Sequence, residues 1–253
     1  MNHEDAERIP PAGREPPKLP QKDLANSMTD RIREDYAGMS KKPGLLSTAE
    51  TLLRHPGQVL YELREGRAAS ATLMLLGVAV VCLLAYGFTM GMFSFGRQLW
   101  AAPVKLAVGL LGSALICAPS LVIFTCLSGS KTSIADVLRM LAGLLAMASL
   151  LLLGFGPVSW IFSQSTESVG FMGFLHIAFW GIGVYYGLRF LFGATRFSDG
   201  TQVGHLRVWS IIFVLVCLQM TTTLRPLIGE SDRLLQTEKK FFLTHWGETM
   251  CGE

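Results

Sequence analysis

The sequence predicts an all-α fold, a polytopic transmembrane helical bundle with five spans, its N-terminus in the cytoplasm and its C-terminus on the opposite side. Of the 253 residues, 50% are hydrophobic and 16% are charged, whereas soluble domains carry about 25% charged residues. The apolar residues gather in five uncharged runs after residue 68, and the basic residues that flank these runs are unevenly distributed.

Residues 1–43 are predicted to form a disordered cytoplasmic tail. Five prolines lie between positions 10 and 20, and large apolar residues are few. Such a segment cannot bury enough apolar surface to offset the entropy lost on ordering. It could serve as a linker or dock in a groove that recognises the polyproline conformation.

Residues 44–67 are predicted to form amphipathic juxtamembrane helices. Ser47 and Glu50 have the spacing of a capping box, and Pro56 suits the first turn of a second helix. Apolar residues of that second helix share one face: Val59, Leu60 and Leu63. The segment could lie at the membrane surface or pack on the cytoplasmic ends of the bundle, and the two arrangements are compatible.

Residues 68–224 are predicted to form the five-span domain, because a span of about 20 residues crosses a hydrocarbon core of about 30 Å. The apolar runs are residues 69–95, 106–128, 140–162, 170–188 and 208–224. Pro103 is predicted to mark the start of the second helix. Asp136 and Arg139 are expected to pair at the entry to the third.

The orientation follows from the basic residues near the spans. With the N-terminus inside, sixteen Lys and Arg residues lie on the inner side and six on the outer side, counting Lys105 in the first outer loop. Three tryptophans near span ends are predicted to form an interfacial belt: Trp100, Trp160 and Trp209.

The sequence contains no recognisable catalytic, cofactor-binding or metal-binding motif. It therefore predicts a protein that is not an enzyme and has no cofactor. His176 is the one histidine within a predicted span, where it could make a structural hydrogen bond or relay protons. Gln219, in the fifth span, is expected to face protein or water. The candidate helix interruptions are Pro119 and residues 154–157.

Small residues at four-residue spacing predict close helix packing within the bundle or between subunits. The pairs are Gly87 and Gly91, Gly109 and Ser113, and Gly183 and Gly187.

Residues 225–253 are predicted to form a C-terminal interfacial segment. Arg225 and Pro226 end the fifth span, and Phe241, Phe242 and Trp246 supply apolar area beside basic residues. This mixture is typical of an interaction anchor, so partner binding is assigned to Arg225 and these three aromatic residues. Alternatively, the aromatic residues rest in the outer membrane interface.

Three stretches carry a resemblance to a known family: HPGQVLYEL before the first span, GFTMGMFSFGRQLWAAPVKLAVGLLGSALICAPSLVIFTCLSG, and QMTTTLRPLIG. Over roughly residues 50–230 the chain resembles uncharacterised bacterial polytopic membrane proteins related to the Yip family. The resemblance implies five spans, a cytoplasmic N-terminus, residence in the bacterial inner membrane and a role as a partner-binding scaffold. It implies no catalytic residue.

Two function classes follow. The first is an integral membrane scaffold or accessory subunit, which would contact the lipid bilayer and a membrane-protein partner or further copies of itself. The second is a transporter or channel for a small solute or lipid. The net charge of +3 is small and dispersed, which argues against a nucleic-acid partner.

Overall fold

The structure is a computed structural model that describes residues 44–64, 68–94, 98–127, 133–166, 168–197 and 204–223. These residues form seven α-helices and no strand: α1 Leu45–Arg54, α2 Pro56–Arg64, α3 Ala68–Ser94, α4 Gln98–Leu127, α5 Ile134–Ser165, α6 Val169–Phe197 and α7 Gly204–Thr223. Five of them, α3 to α7, are long and apolar enough to cross a membrane. The all-α class and the five apolar helices are therefore confirmed, whereas residues 1–43 and 225–253 lie outside the described residues.

The long helices extend beyond the uncharged runs. Helix α4 begins at Gln98, so Pro103 lies inside it and does not mark its start. The prediction that Pro103 marks the helix start was wrong because a helix can begin several residues before its apolar run begins. Helix α6 likewise continues past Arg189 to Phe197. Asp136 and Arg139 do pair on α5 as predicted, with 2.7 Å between Oδ1 and Nη1.

The capping pair of α1 differs from the predicted one. The helix begins at Leu45, and Ser47 Oγ accepts a hydrogen bond at 3.1 Å from the N–H of Gly44, three residues earlier. Ser47 therefore occupies the reaching-back position of the cap and Glu50 is not part of it. Instead, Glu50 forms an exposed ion pair with Arg54 at 3.4 Å. Helix α2 begins at Pro56 as predicted.

Helices α3 and α5 form the centre of the bundle. Helix α5 packs against both α3 and α6, and α4 packs against both α3 and α7, while α6 and α7 make little contact with each other. Pro119 and Pro157 lie within continuous helices, so the predicted candidates for interruption do not break α4 or α5. The weak contact between α6 and α7 leaves a gap that matters for the cavity described below.

Helices α1 and α2 pack against the part of the bundle formed by α3, α5 and α6. Leu52, Val59 and Leu63 are buried in a cluster with residues of α3, α5 and α6. The Leu45 side chain reaches Gly77, the tenth residue of α3, where a Cβ would lie 3.0 Å from Leu45 Cδ2. The two helices thus pack along the side of the bundle and not only against the ends of its helices; their position at the cytoplasmic side of the membrane stays a prediction.

Trp209 joins α7 to α4. Its indole N–H donates to Ser120 Oγ at 3.1 Å and to the Cys117 carbonyl at 3.3 Å, and its ring stacks on Phe213 at a centroid distance of 5.2 Å. Trp209 is fully buried, so its assignment to an interfacial belt was wrong. Trp209 does lie near a span end, but the sequence did not show that α4 has buried hydrogen-bond acceptors beside it.

Candidate functional site

A hydrogen-bonded cluster of Tyr86, Ser159 and His176 links three helices inside the bundle. Tyr86 comes from α3, Ser159 from α5 and His176 from α6. The Tyr86 hydroxyl lies 2.7 Å from His176 Nδ1, and Ser159 Oγ lies 3.3 Å from His176 Nε2. The tyrosine and imidazole rings meet edge to face, with centroids 5.6 Å apart. Both imidazole nitrogens of His176 are therefore engaged by side chains of neighbouring helices.

Both hydrogen bonds of the cluster can form with either tautomer of the neutral His176 imidazole. In one tautomer the Tyr86 hydroxyl donates to Nδ1 and the Nε2 hydrogen is donated to Ser159. In the other the Nδ1 hydrogen is donated to Tyr86 and Ser159 donates to Nε2. A neutral imidazole offers one donor and one acceptor, and each hydroxyl can take either role. The chain of three groups can thus reverse its direction without leaving a polar atom unbonded.

The cluster is closed to the outside. The exposed fraction is 1% for Tyr86, 0% for Ser159 and 5% for His176. A serine beside a histidine is the pairing used in nucleophilic catalysis, but here the hydroxyl has no open face at which a substrate could approach. The geometry suits an interhelical hydrogen-bond network, in which each buried polar group is bonded to a neighbouring helix.

Three of the small residues lie where helix backbones approach each other closely. A Cβ added to Gly87 would lie 2.4 Å from the Pro103 Cα. A Cβ at Gly183 would lie 3.0 Å from the Ala148 carbonyl oxygen, and one at Gly187 would lie 2.8 Å from the Leu144 carbonyl oxygen. Glycine lets α3 approach α4, and α6 approach α5, at distances that any side chain would prevent.

The remaining small residues have other surroundings. Gly91 is buried in α3. Gly109 and Ser113 of α4 line a cavity of about 30 Å³, and the Ser113 hydroxyl donates to the Gly109 carbonyl at 2.7 Å. Lys105 also lines the cavity. The cavity was not predicted from the sequence, because Lys105 was expected to lie in a loop. Lys105 lies inside α4 with an exposed fraction of 5%.

The other predicted site residues divide into two groups. Gln219 is half-buried on α7. The proposed partner-binding residues all lie outside the described residues: Arg225, Phe241, Phe242 and Trp246.

Sequence reasoning selected His176 but missed its partners. Tyr86 lies in an uncharged run, and a tyrosine hydroxyl buried within a membrane needs a hydrogen-bond partner, but Tyr185 and Tyr186 lie in such a run too, so the sequence did not select Tyr86 as the partner of His176. Ser159 carried no such signal, since serine commonly bonds to its own helix. Gly143, whose added Cβ would clash with the Phe190 ring, was missed because it has no partner at four-residue spacing.

No protein-family model, curated protein or solved structure matches the chain. Within the described part of the chain, no three His, Cys, Asp or Glu residues come together in a way that could hold a metal ion. The fold and the site together define a helical membrane protein with a packed polar cluster.

Proposed function

We propose that this chain is an integral protein of the bacterial inner membrane, with five spans and a cytoplasmic N-terminus, that acts as a scaffold or accessory subunit for partner proteins. The five apolar helices support the spans. The excess of basic residues near one set of helix ends supports the orientation. The resemblance to relatives of the Yip family supports both the membrane and the role.

The observation that carries the proposal is the packed interior around His176. Both of its ring nitrogens are bonded within the bundle, and the buried hydroxyls of Ser113, Thr125 and Ser149 donate to carbonyls of their own helices. An interior arranged in this way has few polar groups left with which to carry or recognise a solute. It suits a protein whose contacts with other molecules occur at its surface.

The alternative, a solute path, would need polar residues aligned along one route. Thr221 lines the cavity between α4, α6 and α7, whereas His176 bonds to α3 and α5. The cavity of about 30 Å³ holds roughly two water-sized groups. Of the three residues expected to line such a path, His176, Gln219 and Thr221, only Thr221 lines this cavity, which gives the transporter less support than the scaffold.

We also propose that the protein is not an enzyme, because the Ser159 hydroxyl is fully buried and the sequence lacks a catalytic motif. Turnover of a substrate by the purified protein that disappears in the His176→Ala variant would contradict this.

Partner recognition is proposed to use the segments that flank the spans. A bilayer-facing surface discriminates poorly between partners and lipid, because lipid tails are as apolar as leucine. In residues 225–253, Phe241, Phe242 and Trp246 combine apolar area with nearby positive charge, a mixture that anchors many interfaces.

The test is to purify the full chain in a mild detergent and quantify associated proteins by mass spectrometry. A variant with Phe241, Phe242 and Trp246 changed to alanine is expected to lose a partner that the wild type binds at fixed stoichiometry. The matched control changes three exposed residues of α7 to alanine, namely Val208, Ile211 and Leu215, and should retain the partner. Unchanged recovery in the first variant would contradict the assignment to the C-terminal segment.

A further inference from the structure

Helix α1 packs beside α3 at the level of the apolar span. The Leu45 side chain, at the start of α1, contacts α3 at Gly77, where a Cβ would lie 3.0 Å from Leu45 Cδ2. Leu52, seven residues later on α1, is buried in a cluster with Leu75 and Val78 of α3. Helix α1 is therefore in lateral contact with α3 over two of its turns.

The depth of this contact follows from the length of the α3 span. The apolar span Ala68–Met92 has 25 residues and is about 37 Å long at a rise of 1.5 Å per residue, whereas a hydrocarbon core is about 30 Å thick. Gly77 lies nine residues after the start of that span, which is about 13 Å along the helix. Wherever the core is placed within the span, Gly77 lies at least about 6 Å inside it. This step rests on the proposed function, in which α3 crosses the membrane, and it places the start of α1 level with acyl chains.

Three leucines of α1 remain exposed although the helix packs on the bundle. The exposed fraction is 87% for Leu46, 52% for Leu53 and 44% for Leu45. Leu46 follows Leu45 in the chain, so it lies at nearly the same depth as Gly77. A leucine exposed at that depth faces acyl chains, which are as apolar as leucine itself.

The charges of α1 indicate which of its ends is inserted. Its first half, residues 45–49, is uncharged, whereas Glu50 and Arg54 form an exposed ion pair at 3.4 Å in its second half. Arg54 lies nine residues after the start of the helix, about 13 Å along its axis, and can reach the membrane boundary while the first turn stays inside. Helix α2 fits this orientation, because Leu60 Cδ1 lies 4.0 Å from the position of a Cβ on Gly193, near the end of α6.

The lysines that precede α1 are compatible with such an insertion. Lys41 and Lys42 come three and two residues before Gly44, and an extended chain covers about 3.3 Å per residue. A lysine side chain can also place its ammonium group at the membrane boundary while its methylenes stay among apolar groups. Both charges can therefore stay at the boundary when only the first half of α1 is inserted.

We propose that α1 is a partly inserted helix whose first half enters the bilayer beside α3, with Leu45 and Leu46 in contact with lipid acyl chains and Arg54 at the membrane boundary. The chain enters and leaves the bilayer on one side, so α1 does not add a sixth span. The exposed leucines contact lipid because they lie at the depth of the acyl chains, while another face of α1 is already packed against α3 and α5.

The test uses single spin labels in a variant without native cysteines, with the full chain reconstituted into phosphatidylcholine bilayers. Leu46→Cys carries the label under test. Leu115→Cys, an exposed position in the middle of α4, is the acyl-chain reference, and Ser165→Cys, at the exposed end of α5, is the water reference. Electron paramagnetic resonance measures collisions with oxygen, which concentrates among acyl chains, and with a neutral nickel chelate, which stays in water. At position 46 we expect several-fold fewer nickel collisions than at position 165, and oxygen collisions as frequent as at position 115.

A label at Leu53→Cys tests the orientation of α1, since it should meet the nickel chelate more often than the label at position 46 does. Equal nickel collisions at the two positions would overturn the inserted orientation. Nickel collisions as frequent at position 46 as at 165, with position 115 still shielded, would overturn the insertion and leave the five spans intact. Nickel collisions as frequent at position 115 as at 165 would overturn the spans and the insertion together. Few collisions with either reagent at position 46 would overturn the contact with lipid and indicate that a second copy or a partner protein covers α1.

Discussion

The Gly87→Ala variant is expected to be less stable than the wild type by about 3 kcal/mol. The added Cβ would lie 2.4 Å from the Pro103 Cα and 2.9 Å from the Pro103 nitrogen. Both are backbone atoms, so no rotamer change can relieve the contact, and α3 and α4 must move apart. Overpacking of a tightly packed interior typically costs about 1–3 kcal/mol. The measurement is the free energy of unfolding, or the melting temperature, of the purified protein in detergent.

Two other glycines make this prediction specific. Gly187→Ala should also destabilise the protein, because its Cβ would lie 2.8 Å from the Leu144 carbonyl oxygen. Gly181→Ala, on the same helix, is the control, since nothing lies within 4 Å of its added Cβ. That variant should be neutral or slightly more stable, because alanine favours a helix over glycine by about 0.5–1 kcal/mol. Equal stability of all three variants would mean that the helices do not approach each other as described.

The second large effect is expected from His176→Ala, which should lower stability by about 3–5 kcal/mol. The change removes two interhelical hydrogen bonds, leaves the buried Tyr86 and Ser159 hydroxyls without this partner, and opens a cavity. Leaving a buried polar group unsatisfied costs about 1–3 kcal/mol, and deleting a large buried side chain adds a similar term.

Tyr86→Phe isolates one bond of the cluster and should cost about 1–2 kcal/mol, the upper part of the range measured for hydrogen bonds between membrane helices. Tyr185→Phe is the matched control, since Tyr185 is 62% exposed on α6, and should have little effect. If Tyr86→Phe and His176→Ala are both as stable as the wild type, the cluster does not hold the three helices together.

The hydrophobic pattern predicted the long helices because each crosses a continuous apolar run, and only their ends differ. Composition does not mark where a helix ends, which is why Pro103 and Lys105 were placed outside α4 although both lie within it. Both residues matter, since Pro103 meets Gly87 and Lys105 lines the cavity. Their roles depend on which helices are neighbours.

The candidate site was predictable only in part for the same reason. An ionisable residue within an apolar run is rare, so His176 was identified from the sequence. Its partner Ser159 lies 17 residues earlier and Tyr86 lies 90 residues earlier, and hydropathy contains no information on such pairings. Trp209 shows the opposite case, in which the residue was noticed but its surroundings were not, because the acceptors on α4 come from elsewhere in the chain.

The central claim, that the chain crosses the membrane five times with its N-terminus in the cytoplasm, is tested most directly by cysteine accessibility. Single cysteines are introduced at positions 130, 165 and 201 in a variant without native cysteines, and intact cells are treated with a membrane-impermeant thiol reagent. Positions 130 and 201 lie outside the described residues, and Ser165 is the exposed last residue of α5. The account predicts that the cysteine at 165 reacts while those at 130 and 201 react only after the cells are permeabilised. Labelling of all three in intact cells, or of 130 and 201 but not 165, would contradict it.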